Sequence, residues 1–110
     1  MSLSSQLVYL NGEFMPLDQA RIPVLDRGFL FGDGVYEVIP VYGGRPLRLA
    51  EHLRRLERSL SAIHMDSPLS DEAWSQIIDR LIDGPEDQQI YIQVTRGVQP
   101  KRDHAIPATI

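Results

Sequence analysis

Two groups of cationic side chains are the residues best placed to do chemistry in this sequence. Arg54, Arg55 and Arg58 fall close together in one segment, and Lys101, Arg102 and His104 surround Asp103 in another. A guanidinium presents a planar fork of donors that matches carboxylate and phosphate, so either group suits an anion held by charge-assisted hydrogen bonds. Arg102 and His104 lie two positions apart, and in an extended loop they point the same way and together suit a carboxylate. Each group also has an ordinary alternative. Glu51, four residues before Arg55, makes a solvated ion-pair face of the first; the second would be an exposed basic loop balancing Asp103.

Between Gly28 and Gly34 the sequence Gly-Phe-Leu-Phe-Gly-Asp-Gly suits a tight turn or one helical turn, where backbone approaches something closely. It lacks the spacing and the Lys-Ser or Lys-Thr of a phosphate loop, so a nucleotide reading fails. Tyr36 follows at the start of a strand, where its phenol either projects into a cleft at the sheet's end or belongs to a half-buried core. His52 and His64 read as structural, His64 near a helix end where an imidazole can cap free carbonyls. No two histidines stand at metal-ligand spacing, and no Ser-His-Asp or Cys-His set can be assembled. Lys101 is the only lysine, so any other lysine chemistry must come from outside the chain.

The elements that must position these groups follow from periodicity. Leu7 to Leu10, Asn11-Gly12 and Glu13 to Leu17 predict a hairpin with a type I′ turn. Asp18 to Arg27, with Pro23, is an extended connection. Val35 to Tyr42 is a strand with Tyr36, Val38 and Pro40 on one face and Val35, Glu37, Ile39 and Val41 on the other, and Gly43-Gly44 turns it back into Arg45 to Leu49. Leu53, Leu56, Leu60 and Ile63 make one stripe of a helix over Ala50 to Met65. A second helix starts after the N-cap Ser70, buries Trp74, Ile77, Ile78, Leu81 and Ile82, and stops by Gly84. Gln89 to Thr95 alternates as a half-buried strand. The fold class expected is α+β, an antiparallel sheet with two helices packed on one face.

At 110 residues there is room for one modest core. A formal charge of -4 offers no general attraction to nucleic acid or anionic membrane. The absence of cysteine removes disulfides and thiolate metal sites and fits a reducing cytoplasm. The start has no signal-peptide pattern, and the apolar end after Pro107 reads as a truncation.

Taken together, Tyr9-Leu10-Asn11-Gly12, Asp26-Arg27-Gly28 through Phe31-Gly32-Asp33-Gly34-Val35-Tyr36-Glu37, Glu51-His52-Leu53-Arg54-Arg55-Leu56, and Tyr91-Ile92-Gln93-Val94-Thr95-Arg96-Gly97 running on to His104 and Pro107 resemble the fold-type IV pyridoxal-phosphate enzymes. Within them the similarity is to the D-amino-acid transaminase group. The matches are collinear and cover almost the whole chain.

The resemblance implies that Arg55 binds the phosphate of pyridoxal 5'-phosphate and that Tyr36 lines the substrate pocket. It implies that Arg102 and His104 hold the substrate α-carboxylate across a homodimer interface, with Lys101 as a competitor for the role of Arg102. Residues 1–110 are then an N-terminal domain, and the lysine that anchors the cofactor lies in a second domain beyond residue 110. The activity implied is transamination of D-alanine with 2-oxoglutarate to pyruvate and D-glutamate, with small amino acids and 2-oxo acids as partners and no nucleic acid, membrane or metal. A branched-chain aminotransferase, an aminodeoxychorismate lyase and a non-catalytic interaction domain are the alternatives.

Overall fold

Residues 6–108 are described by a computed structural model. In chain order they form β1 (Leu7–Leu10), β2 (Glu13–Pro16), a 3-10 turn (Leu17–Gln19), α1 (Arg27–Phe31), β3 (Gly34–Tyr42), β4 (Arg45–Pro46), α2 (Leu49–Ala62), α3 (Asp71–Leu81) and β5 (Gln88–Thr95). Asn11 and Gly12 both take positive φ, 49° and 96°, so the first hairpin closes through the turn its sequence demands. Gly43 and Gly44 repeat that geometry, with φ of 58° and 78°, between β3 and β4. The second hairpin is shorter than its sequence suggested. Leu47 N still donates to Pro40 O at 2.8 Å, but Pro40 has no N–H to return the bond, and Arg48 at φ 53° already swings the chain into α2.

The strands pair antiparallel, but in two sheets rather than one: β1 with β2, and β4-β3-β5. Residues 18–26 pair with no strand of the larger sheet: their isolated bridge joins Asp26 to Val98, beyond β5, and Asp26 meets β5 through its side chain, Oδ2 accepting from Thr95 Oγ1 at 3.1 Å. The small hairpin packs on α3 instead, where the Arg80 guanidinium sits 4.0 Å over the Phe14 ring.

In the larger sheet Glu37 stands opposite Ile92 and Ile39 opposite Ile90. Strand alternation puts these side chains and Val41 on one face. There Ile39, Val41, Ile90 and Ile92 meet Leu53, Leu56 and Leu60 of α2 and Trp74 and Ile78 of α3 in the buried core. Both helices therefore cover the same face, as the α+β pattern implied. Ser70 caps α3, its Oγ accepting from Ala73 N at 3.1 Å. Helix α2 stops at Ala62, short of Met65, because His64 turns left-handed at φ 61°. The N–H groups of His64 and Met65 then return to the carbonyls of Ser61 and Leu60 at 3.0 and 2.9 Å. Backbone, and not the imidazole, closes this end. No helix among the described residues is long and apolar enough to cross a membrane.

The glycine-rich segment is the short helix α1. Asp26 caps it, Oδ1 accepting from Gly28 N at 2.8 Å, and Gly32 ends it in the left-handed region at φ 63°. Gly28 and Gly34 serve close packing on β5: a Cβ at Gly28 would run into the Thr95 methyl, and one at Gly34 would lie 2.6 Å from Val94 O. Gly28→Ala is expected to cost roughly 1–3 kcal/mol through overpacking, and Gly32→Ala about 1 kcal/mol through its positive φ alone. Urea unfolding of the two variants side by side tests this, and a neutral Gly28→Ala would refute the steric account.

Candidate anion-binding site

Glu37 lies on the core face of β3, 5% exposed, where an unpaired carboxylate would be strongly unfavourable. Arg55 of α2 supplies the partner. Its Nε donates to Oε2 and its Nη2 to Oε1, both at 2.9 Å, a bidentate fork. His52, one turn earlier on the same side of α2, places Nδ1 2.7 Å from Oε1. Burial on its own would push Glu37 up. Hydrogen bonds from Arg55 and His52, and their charges, outweigh burial and hold the carboxyl below its ordinary value. The hydrogen bond and charge of Glu37 in turn raise Arg55 above the usual guanidinium value.

This arrangement corrects the local pairing expected of Glu51 with Arg55. Glu51 approaches Arg54 instead, at 3.6 Å, because the buried carboxylate of β3 is the stronger claimant on Arg55. The Arg55 side chain remains 59% exposed, and its Nη1 has no partner among the described residues. The fork is thus fixed on one edge and open to solvent on the other.

Tyr36 alternates to the opposite face of β3 and is 64% exposed, so the half-buried alternative fails. Its ring stacks on Tyr91 of the neighbouring strand, with centroids 5.8 Å apart. No contact among the described residues joins it to Arg55.

Arg102 and His104 are brought together by a ring that sequence reading did not single out. The Arg102 Cζ lies 4.8 Å from the Phe31 centroid, and the His104 ring centroid lies 4.7 Å from it. Asp103 does not balance the cations; its Oδ1 accepts from Ala105 N at 3.0 Å. No acidic side chain pairs with Arg102 or His104 among the described residues, and Lys101 is exposed.

Behind this loop is a buried charged junction that sequence reading also missed. Arg27 and Arg96, 4% and 3% exposed, both donate through Nε to Asp33 Oδ2 at 2.8 Å. Burial alone would raise Asp33, but hydrogen bonds and charge from Arg96 and Arg27 prevail and depress it. The remaining donors reach carbonyls: Arg96 Nη2 to Ile63 O at 2.6 Å, Arg27 Nη1 to Asp103 O at 2.6 Å, and Arg27 Nη2 to His104 O at 3.4 Å. A charged residue flanking a glycine-rich turn on each side was the available signal. Two surface depressions, one beside Pro46 and Ile78 and one along Glu51, Arg54, Glu57 and Arg58, include none of Tyr36, Arg55, Arg102 and His104. The second is the solvated flank of α2, where the ion-pair reading holds for Arg54, which meets Glu51, while Arg58 has no ion pair among the described residues.

Residues 34–110, carrying Tyr36, Arg55, Arg102 and His104, match the amino-transferase class IV family. The chain belongs to that family. Among curated proteins it is similar to the D-alanine aminotransferase of Staphylococcus haemolyticus, 39% identical over 102 residues that make up 91% of this chain and 36% of that protein. The chain therefore spans little more than a third of that relative's length. Among solved structures it is similar to the branched-chain aminotransferase from the archaeon Thermoproteus uzoniensis with norvaline, with TM-score 0.80 and 26% identity over 94% of this chain and 37% of the other. It is also similar to 4-amino-4-deoxychorismate lyase from Pseudomonas aeruginosa, with TM-score 0.64 and 37% identity over 81% and 32% of the two chains. This class IV neighbourhood agrees with the mixed α+β architecture.

The depressed carboxyls of Asp33 and Glu37 fix the sign of an acid dependence. Their stabilising contribution is complete above the unfolded values, near pH ~4, and is lost as pH falls through the lower folded values. Urea midpoints should therefore be insensitive to these groups between about pH 5 and 7 and fall steeply below about pH 4. Asp33→Asn strands two buried guanidinium groups. It is expected to cost roughly 3–5 kcal/mol and to flatten part of the acid limb; an unchanged limb would mean that Asp33 is not a source of it.

Proposed function

We propose that residues 1–110 form the N-terminal domain of a pyridoxal-phosphate-dependent transaminase of D-amino acids, which converts D-alanine and 2-oxoglutarate to pyruvate and D-glutamate as a cytoplasmic homodimer. Membership of the class IV family and the likeness to D-alanine aminotransferases support the reaction type. The observation that carries the substrate reading is that Arg102 and His104 meet at one ring with no acid paired to either.

The donor set suits the cofactor's phosphate. Arg55 keeps an open edge of N–H donors, and its orientation is set by Glu37 rather than by the ligand. In this reading Arg55 holds the phosphate, and the exposed phenol of Tyr36, steadied by Tyr91, lines the substrate pocket. Bound pyridoxal phosphate supplies the electron-withdrawing ring that takes up charge when the bond from Cα to hydrogen breaks. The residues of this chain bind and orient. Arg102 and His104 fix the α-carboxylate, which decides which face of Cα is turned to the base and so selects the D enantiomer. Lys101, the only lysine of the chain, is not assigned the anchoring role.

The test is a coupled assay of pyruvate formation from D-alanine and 2-oxoglutarate with the full-length enzyme. Arg55→Ala is expected to lose cofactor on gel filtration. Arg102→Ala should retain it and raise KM for D-alanine roughly 10- to 100-fold, the effect of one charged hydrogen-bonded contact. Equal loss of cofactor in both variants would overturn the division of roles. Release of pyruvate from aminodeoxychorismate, without D-alanine turnover, would favour the lyase reading that the Pseudomonas aeruginosa likeness keeps open.

A further inference from the structure

The geometry points to Phe31 and Arg27 as positioning residues for substrate-carboxylate recognition: the Phe31 ring is the platform on which Arg102 and His104 are set, and Arg27 fastens the loop beside it through the carbonyls of Asp103 and His104. This inference rests on the reading of Arg102 and His104 as the carboxylate contacts. Four observations lead to it. The Cζ atoms of Arg27 and Arg102 each lie 4.8 Å from the Phe31 centroid, and the His104 ring lies against the same phenylalanine at 4.7 Å, tilted by 43°. Arg27 is pinned through Nε to Asp33. Its other two nitrogens donate to the carbonyls of Asp103 and His104. The cations it positions have no acidic partner of their own.

The physical reason for such a platform is the conflict inherent in an unpaired cation trap. A guanidinium that must meet a substrate carboxylate cannot be held by a protein carboxylate, because that partner would compete with the substrate. Left unheld, it would lose side-chain entropy at each binding event. The face of an aromatic ring resolves the conflict: it attracts and orients a cation while leaving its N–H edge free for an anion. Arg27 completes the arrangement by satisfying backbone carbonyls, so the loop is fixed without consuming either cationic side chain. Phe31 touches no substrate in this scheme and acts through Arg102 and His104.

The test uses the full-length enzyme with bound cofactor. Replacing Phe31 with mono-, di- and trifluorinated phenylalanine keeps the shape of the ring and progressively weakens its negative face. KM for D-alanine should rise stepwise across the series, and in Phe31→Leu by about tenfold, with kcat and the absorbance of bound cofactor little changed. Phe31→Tyr should stay near the parent. In an Arg102→Ala background, Phe31→Leu should add less than it does alone, because only His104 is left for the ring to position. A flat fluorination series, or full multiplication of the Phe31→Leu and Arg102→Ala effects, overturns the platform while leaving Arg102 as the carboxylate contact. No rise in KM with Arg102→Ala overturns the underlying reading, and the platform with it.

Discussion

One carboxylate, that of Asp33, organises the end of the molecule where α1, the start of β3, the end of β5 and the 103–104 loop meet. Two guanidinium groups almost without solvent contact converge on a single oxygen of it, and an isolated charge in such surroundings would be several kcal/mol uphill. The donors left over find the carbonyls of Ile63, Asp103 and His104, so no buried side-chain nitrogen or oxygen lacks a partner among the described residues. A hydrophobic substitute of equal volume would match or exceed such a junction in stability. What it could not supply is direction. The junction ties the start of α1, the turn into β3, the end of β5, the end of α2 and the 103–104 loop into one register.

The parity of β3 extends that register outward. Because successive side chains alternate, Glu37 enters the helix-covered face while Tyr36 faces the other way. One strand therefore orients an arginine of α2 on one side and presents a phenol on the other. The cations are held by opposite strategies. Arg55 is clamped by a buried carboxylate, which fixes its fork firmly and neutralises part of its charge. Arg102 rests on an aromatic ring, with the His104 imidazole packed against the same ring, an arrangement that holds the guanidinium less tightly and leaves it without a counter-charge.

Local pattern in the sequence carried most of the architecture: both type I′ turns, the Leu53-Leu56-Leu60 stripe, the Ser70 cap and the alternation of β5 are set by residues within a few positions of one another. The charged residues were legible only in part. Arg54, Arg55 and Arg58 share the polar side of α2, and periodicity cannot rank them; family resemblance picked out Arg55, while its partner Glu37 sits 18 residues away on another element. Arg27, Asp33 and Arg96 were passed over because a charged residue is exposed by default, and Asp33 and Arg96 are 63 positions apart. Phe31 escaped for a similar reason: as one apolar residue in a glycine-rich turn, it gave no local sign that a loop some 70 positions later would return to it.

The third donor on Glu37 bears on how an arginine so tightly paired could serve the anion contact proposed for it. A bidentate carboxylate would ordinarily satisfy a guanidinium and reduce its pull on a second anion. Here Oε1 is shared between Arg55 Nη2 and His52 Nδ1, so part of the carboxylate's electron density is committed to the imidazole. The claim of Glu37 on Arg55 is weakened to that extent, while the geometry of the fork is unchanged. Burial works in the same direction: the carboxylate lies under the helix, and the outer edge of the guanidinium stays at the surface, where, in the role proposed for Arg55, a phosphate would meet positive donors before the negative charge behind them. Orientation is thus obtained from a counter-charge that neutralises part of the guanidinium yet is shared with an imidazole and leaves Nη1 free.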